Sequence, residues 1–297
     1  MLSPDLKRRL SPLVRPGERL GPSAAPLAGR HRRSSAELQD WFPGSSVCAT
    51  EHGEVFVCRA SLRETHSGAE GLIGRYREAF RAASGGPEES ALASYLQPLR
   101  SADVGAAALI DTETAGLHGR PLFLIGLAHY RDDDVILTQY FARSYAEEAA
   151  VLSQLVAVLP ELKLLISFNG KAFDWPFVRD RMVYHRLSCQ ATFAHLDLLH
   201  PSRRRWRSHL PNCKLRTLEH YLSGRWRSGD IPGDQIPQRY HDFVRTQDAR
   251  LIAPIFHHNR MDLIAMMELL VALVEDGGKR SCAPRAGATR TGAKPGE

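Results

Sequence analysis

An α/β fold, with a mixed five-stranded sheet and helices on both faces, is what three features of this 297-residue chain predict. Short apolar runs of strand length recur from residue 106 onward. The first three follow one another directly, separated only by polar turns. The later runs alternate with segments of helical spacing that carry Pro or Gly at their ends.

In chain order, Ala106–Asp111 is a buried strand that ends in an acid. Pro121–Tyr130 and Val135–Phe141 are two further strands, joined by the charged turn Arg131–Asp134. Tyr145–Leu159 has helical periodicity and stops before Pro160, and Leu164–Phe168 is a fourth strand. Phe173–His185 is a helix with Pro176 in its first turn, and Thr192–Leu199 is the fifth strand. A late helix begins near Phe256. Three hairpin-connected strands followed by αβαβα is the element order of a ribonuclease H-like fold. Upstream, Glu54–Cys58 reads as a short strand and Ala69–Ala83 as a helix stopped at Gly85-Gly86-Pro87. The expected organisation is a basic, Pro-rich flexible leader over 1–46, an extension packed on the core over 47–101, the α/β domain over 102–276, and a basic flexible tail over 277–297.

Composition excludes several classes. With 43% hydrophobic and 24% charged residues the chain is neither fibrous nor wholly disordered. No apolar run approaches the ~20 residues of a membrane helix. Five cysteines, no two closer than ten residues, fit neither a disulfide framework nor a zinc knuckle. No apolar secretory core precedes them, so a reducing cytoplasmic location is expected. The net charge of +6 is uneven: residues 200–227 alone carry eight basic groups and one acidic group. An acidic body with a dense basic segment suits a polyanionic partner bound beside a site that itself needs carboxylates.

Those carboxylates are visible in three places. Asp111-Thr-Glu113 sets two acids two apart on a strand, hence on one face. Asp174 opens a helix just after the turn dipeptide Asn169-Gly170; an N-cap role is the competing reading. Asp262 lies early in the late helix, behind His257 and His258. Four acids from a strand, a strand–helix turn and a late helix are what a two-metal phosphoryl-transfer site requires.

The strings DTETAGL, ISFNGKAFDWPFVRDR, HLDLLHPSRRRW, LPNCKLRTLEHYL, GDIPGDQIPQRY and HHNRMDLIAM together resemble the YprB-type ribonuclease H-like domain, a branch of the DEDD 3'-5' exonucleases, over about residues 105 to 275. The resemblance implies Asp111, Glu113, Asp174 and Asp262 as the four metal-binding acids, two Mg²⁺ or Mn²⁺ ions, and nucleic acid as substrate. It also implies a Tyr or His four or five positions before the last acid. His258 stands at four and His257 at five; a helix returns to nearly the same face after four residues, which favours His258 as the group that handles the attacking water.

Around this set, Asn169, Lys171, Arg203, Arg204, Arg205 and Arg207 are candidate nucleic-acid contacts, with Trp206, Tyr221 and Trp226 interleaved as stacking surfaces. Leu218 and Leu222 are expected in the core. Asp197 is read as a strand terminus and Asp230 as a turn residue. The function expected is a metal-dependent nuclease; the alternative is a catalytically silent nucleic-acid-binding module of the same fold. An actin-like ATPase is disfavoured because no glycine-rich phosphate loop follows Asp111.

Overall fold

The computed structural model describes residues 38–85, 92–116, 119–227 and 229–277. The leader expected over 1–46 therefore falls outside the described residues up to 37, and the tail expected over 277–297 from 278 onward.

One sheet organises the chain. Its strands are β1 (Ser45–Thr50), β2 (Gly53–Ser61), β3 (Ala107–Thr114), β4 (Leu122–Arg131), β5 (Asp134–Phe141), β6 (Leu164–Ser167) and β7 (Ala194–Asp197), in the spatial order β1-β2-β5-β4-β3-β6-β7. The first five pair antiparallel, whereas β6 joins β3, and β7 joins β6, in parallel. All five expected strands are present, but the sheet has seven rather than five. β2 runs antiparallel along the outer side of β5 and β1 covers β2, so neither the edge of β5 nor its backbone groups are left open. Ser45–Thr50 carries no strong alternation and is half-buried except at exposed Ala49, which is why no strand is read there from sequence. The expected boundary at 46 falls inside β1, and Leu38 and Phe42 upstream of it are buried in the core.

β4 is the central strand, buried from Leu122 to Ala128, and accordingly reads as an unbroken apolar run. Its two-residue turn into β5 puts Asp132 and Asp133 at φ of 50° and 59°, the left-handed conformation that such hairpins demand and that Asp tolerates. Helices fill both faces. Against one lie α2 (Glu148–Val158), α3 (Asp174–Tyr184) and α6 (Ile236–Thr246); against the other lie α1 (Ala69–Gly85), α4 (Leu199–Trp206), α5 (Leu215–Ser223) and most of α7 (Ala253–Gly277). Strand alternation shows the division directly. Ala108 and Ile110 of β3 join the first core, Ala107 and Leu109 the second. By the same parity Asp111 and Glu113 point to the face that α7 covers.

A buried ion pair fastens α2 to α3 and to β4. Glu148, 1% exposed, accepts from Arg181 Nε at 2.6 Å and Nη2 at 2.5 Å, from His185 Nε2 at 2.9 Å, and from the backbone N–H of Leu122 at 2.8 Å. Replacing Glu148 with Ala leaves the Arg181 guanidinium buried without its counter-charge, and removal of one partner of such a pair costs roughly 3–5 kcal/mol. Urea unfolding of Glu148→Ala should show a lowered midpoint at an unchanged m-value; a midpoint equal to that of the parent protein would remove Glu148 from this role.

Candidate active site

Asp111 sits on β3 beneath α7. Its Oδ2 accepts from Asn259 Nδ2 at 2.7 Å, and the same nitrogen lies 3.2 Å from the Asp111 backbone carbonyl. The other end of the Asn259 amide is also fixed: Oδ1 accepts from Gln139 Nε2 at 2.8 Å, and that nitrogen donates in addition to the Phe256 carbonyl at 2.9 Å. Asn259 is fully buried and Gln139 is 1% exposed. Space for this bridge comes from Gly126, which stands opposite Asp111 on β3 and Gln139 on β5. A Cβ on Gly126 would lie 2.2 Å from Asn259 Oδ1, so only glycine lets the amide lie against the strand. An isolated Gly in the apolar run of β4 was the one sequence signal of this arrangement.

Asp174 arrives from the opposite side, in the first turn of α3. Phe173, not Asp174, occupies the cap position, and Asp174 Oδ1 accepts from Thr112 Oγ1 at 2.6 Å. The loop that aims it turns through Asn169, at φ 64°, and Gly170, where a Cβ would come within 2.4 Å of Ser167 Oγ. Asp197 ends β7 as expected and also holds this loop, accepting from the backbone N–H groups of Asn169 at 2.7 Å and Lys171 at 3.2 Å, and from that of Leu199 at 3.0 Å. Its carboxylate is spent on the backbone and is not a further member of the cluster.

Asp262 lies one turn beyond His258 on α7. His258 Nδ1 is 2.8 Å from Asp230 Oδ1, and its Nε2 is 3.5 Å from Asp262 Oδ2. Asp230 is thus a correction to the sequence reading: its side chain is fully buried, and it orients the histidine rather than merely shaping a turn. Arg227, just upstream, was not anticipated either. With its side chain 2% exposed, it donates from Nη1 to Asp262 Oδ1 at 2.6 Å and from Nε to Glu219 Oε2 at 2.6 Å, and Nη1 lies 3.5 Å from Asp230. Exposed His257 turns away from the acids, toward a separate cavity.

Electrostatics record the convergence of the four acids. Burial pushes Asp111 well above the ordinary carboxylate range, and the charges of Asp262, Glu113 and Asp174 push it further. Glu113 is raised by burial and then by Asp262, Asp174 and Asp230. Asp174 is raised by burial, against which the Thr112 hydroxyl works. Like charges held in a poorly solvated site keep their protons unless a cation relieves them. The donor set is all oxygen, which suits hard ions such as Mg²⁺ or Mn²⁺. Among the described residues no three His, Cys, Asp or Glu side chains close around a single point, and Arg227 supplies the positive charge at Asp262.

A family model described as the RNase_H superfamily matches residues 108–274, more than half of the chain. The chain belongs to the RNase H superfamily. It is 33% identical over 180 residues to "Uncharacterized protein YprB" of Bacillus subtilis (strain 168), an alignment that covers 59% of this chain and 43% of the relative, so under half of the relative's length is spanned. These two matches make the domain a YprB-type RNase H-like domain. Among solved structures, the family B DNA polymerase of the archaeon Pyrobaculum calidifontis aligns with a TM-score of 0.45 and 16% identity over 57% of this chain and 24% of the polymerase. No helix among the described residues is long and apolar enough to cross a membrane.

The RNase H-like domain does not gather all the basic residues named from sequence. Arg203, Arg204 and Arg207 are exposed on or just after α4, and Arg205 Nε pairs with Asp276 at 3.2 Å. Asp276 is fourteen residues beyond Asp262 on the same helix, about 21 Å at ~1.5 Å per residue. Trp206 is 2% exposed and belongs to the core, because the arginine run is helical and its one large apolar residue turns inward. Leu218 is likewise core, whereas Tyr221 and Trp226 are exposed. Lys171 is exposed in the loop that leads to Asp174.

Two outcomes follow from this geometry. Asp111 and Glu113 have folded-state pKa values above their unfolded ones, so the stability they lend is complete below the ordinary carboxylate range, about 4, and is lost as pH rises through the raised values. Cation-free protein should therefore melt lower as pH climbs from about 4 toward neutrality, and Asp111→Asn should show a smaller loss, with a neutral-pH midpoint equal to or above that of the parent. Superimposable pH profiles would contradict the mutual repulsion. Gly126→Ala should displace the Asn259 amide and lower the midpoint; the check on that contact is a double-mutant cycle, in which Gly126→Ala costs little once Asn259→Gly has cleared the clash.

Proposed function

We propose that this chain is a two-cation-dependent nuclease that hydrolyses phosphodiester bonds of nucleic acid, acting as a 3'-5' exonuclease. The observation that carries the reading is the clustering of Asp111, Glu113 and Asp174 with Asp262, from β3, α3 and α7, near enough that their charges raise the first three, beside a histidine oriented by a buried carboxylate. Membership of the RNase H superfamily supports it. A silent binding module of the same fold is the weaker reading, since a phosphate-binding surface gains nothing from four acids that repel phosphate.

In this reading the four carboxylates would hold two Mg²⁺ or Mn²⁺ ions, which would supply Lewis-acid stabilisation of the attacking and leaving oxygens. Asn259 fixes the rotamer of Asp111, and Thr112 that of Asp174, so both acids are oriented before substrate arrives. Asp230 accepts from Nδ1–H of His258, which leaves Nε2 facing the acids as the acceptor for the proton of the attacking water. Arg227 holds Asp262 in position. Exposed Lys171, on the loop that bears Asp174, and half-exposed Arg216, 3.9 Å from Asp230, are the cations offered to a substrate phosphate. The free thiols of Cys48, Cys58, Cys189 and Cys213 are consistent with the cytoplasm as the compartment.

The test is incubation of the full chain with end-labelled single- and double-stranded DNA and RNA in Mg²⁺, Mn²⁺ or EDTA. Stepwise shortening from the 3' end, abolished by EDTA and by Asp111→Asn or Asp174→Asn, is expected; wild-type cleavage by both variants would end the site assignment. His258→Ala should lower kcat by the ~10²- to 10⁴-fold typical of a lost general base, with His257→Ala close to the parent enzyme. The reverse ranking would transfer the role to His257.

A further inference from the structure

Beside the acids, on the other flank of the first turns of α7, lies a cavity of about 500 Å³ enclosed by the segment 41–44, the end of β2 and α7. That is within the ~300–1,000 Å³ usual for small-molecule sites. Its floor is apolar: Phe42 stacks on Phe256 with ring centroids 4.4 Å apart. The rim is cationic and aromatic. Arg59 from β2 and Arg260 from α7 both line it, and neither has an ion-pair partner among the described residues. The Nε of Arg260 is buried with no hydrogen-bond acceptor among the described residues. Trp41, 51% exposed, lines it with His257 and Thr65; among the described residues Glu64 is the one carboxylate on the wall.

Two unpaired guanidiniums, one with a buried donor unanswered, next to an exposed indole over an apolar floor, match an anion joined to a flat ring. We propose that this cavity binds a phosphorylated nucleoside, with the phosphate on Arg59 and Arg260 and the base against Trp41. The inference rests on the nucleic-acid reading of the adjacent acids, which it extends by a second recognition site. α7 carries both: His258 and Asp262 face the acids, while His257 and Arg260 face the cavity, a helix diameter of about 10–12 Å away. The nucleoside can belong to the substrate strand or be a free nucleotide, and the two are separable.

The experiment uses the full-length Asp111→Asn protein in Ca²⁺, so that binding is read without turnover, with a fluorescein-labelled octanucleotide (DNA and RNA) and, separately, a nucleoside monophosphate followed by calorimetry. On this background Arg59→Ala/Arg260→Ala should flatten the dependence of log K on log[salt] for the octanucleotide by about 1.4, at ~0.7 per lost single-strand contact. Trp41→Ala should weaken binding about tenfold, within the range of one lost base stack. Arg59→Lys/Arg260→Lys, which keeps the charges, should hold the slope, and equal melting midpoints for the variants certify the fold. Loss confined to the octanucleotide identifies a strand subsite; loss of monophosphate binding identifies a nucleotide site; either outcome supports the proposal. Parental affinity and slope for both ligands in the Ala variants would overturn it. Cleavage by the parent chain, measured alongside, separates that failure from failure of the nuclease reading.

Discussion

Carboxylates held within each other's field, so that each favours the protonation of its neighbours, are the constraint around which this fold is arranged. Burial and neighbouring charges both favour protonation of Asp111 and Glu113. What the protein supplies instead is rigidity. Asn259 and Thr112 each grip one oxygen of an acid, Asp197 pins the loop that delivers Asp174, and Arg227 stands against Asp262. The penalty of assembling like charges is met by the two apolar cores and by ion pairs placed elsewhere, such as Glu148 with Arg181. A site of this kind is unstable in isolation and depends on the scaffold around it.

The sheet explains how acids so far apart in sequence share one place. The two parallel junctions, β3 with β6 and β6 with β7, bring the carboxyl ends of three strands side by side, so Asp111, the Asn169–Asp174 loop and Asp197 emerge together. Antiparallel β4 and β5 then bring Gly126 and Gln139 into line with Asp111, directly beneath α7. Gly126 has no role except to be small, and its smallness is what admits the helix.

Much of this was legible beforehand, for identifiable reasons. Asp111-Thr-Glu113 and Asp174 sit in regular elements where period and turn chemistry carry meaning, and the late helix announces itself by its apolar stripe. Asp230 and Arg227 lie in an irregular stretch between α5 and α6, where no period ties a residue to a direction, so a buried aspartate looked like one more turn. Asn259 and Gln139 were invisible because their meaning is a contact between elements 120 residues apart. The arginine run misled for the opposite reason. Charge density drew attention to Arg203–Arg205, whereas Trp206 rotates the helix so that Arg205 reaches the far end of α7.

The amide that holds Asp111 comes from a residue 148 positions later in the chain. At the ~5–20 residues per second of protein synthesis, roughly 7–30 s separate the two on the ribosome. Through that interval the β-strands can pair and bury their apolar faces, yet Asp111 lacks its donor and the acids lack their fourth member until residues 253–277 have emerged and docked. Long-range closure of this sort is also slow in refolding. The carboxylate cluster is therefore completed in one late step, when residues 253–277 dock on the sheet, rather than strand by strand.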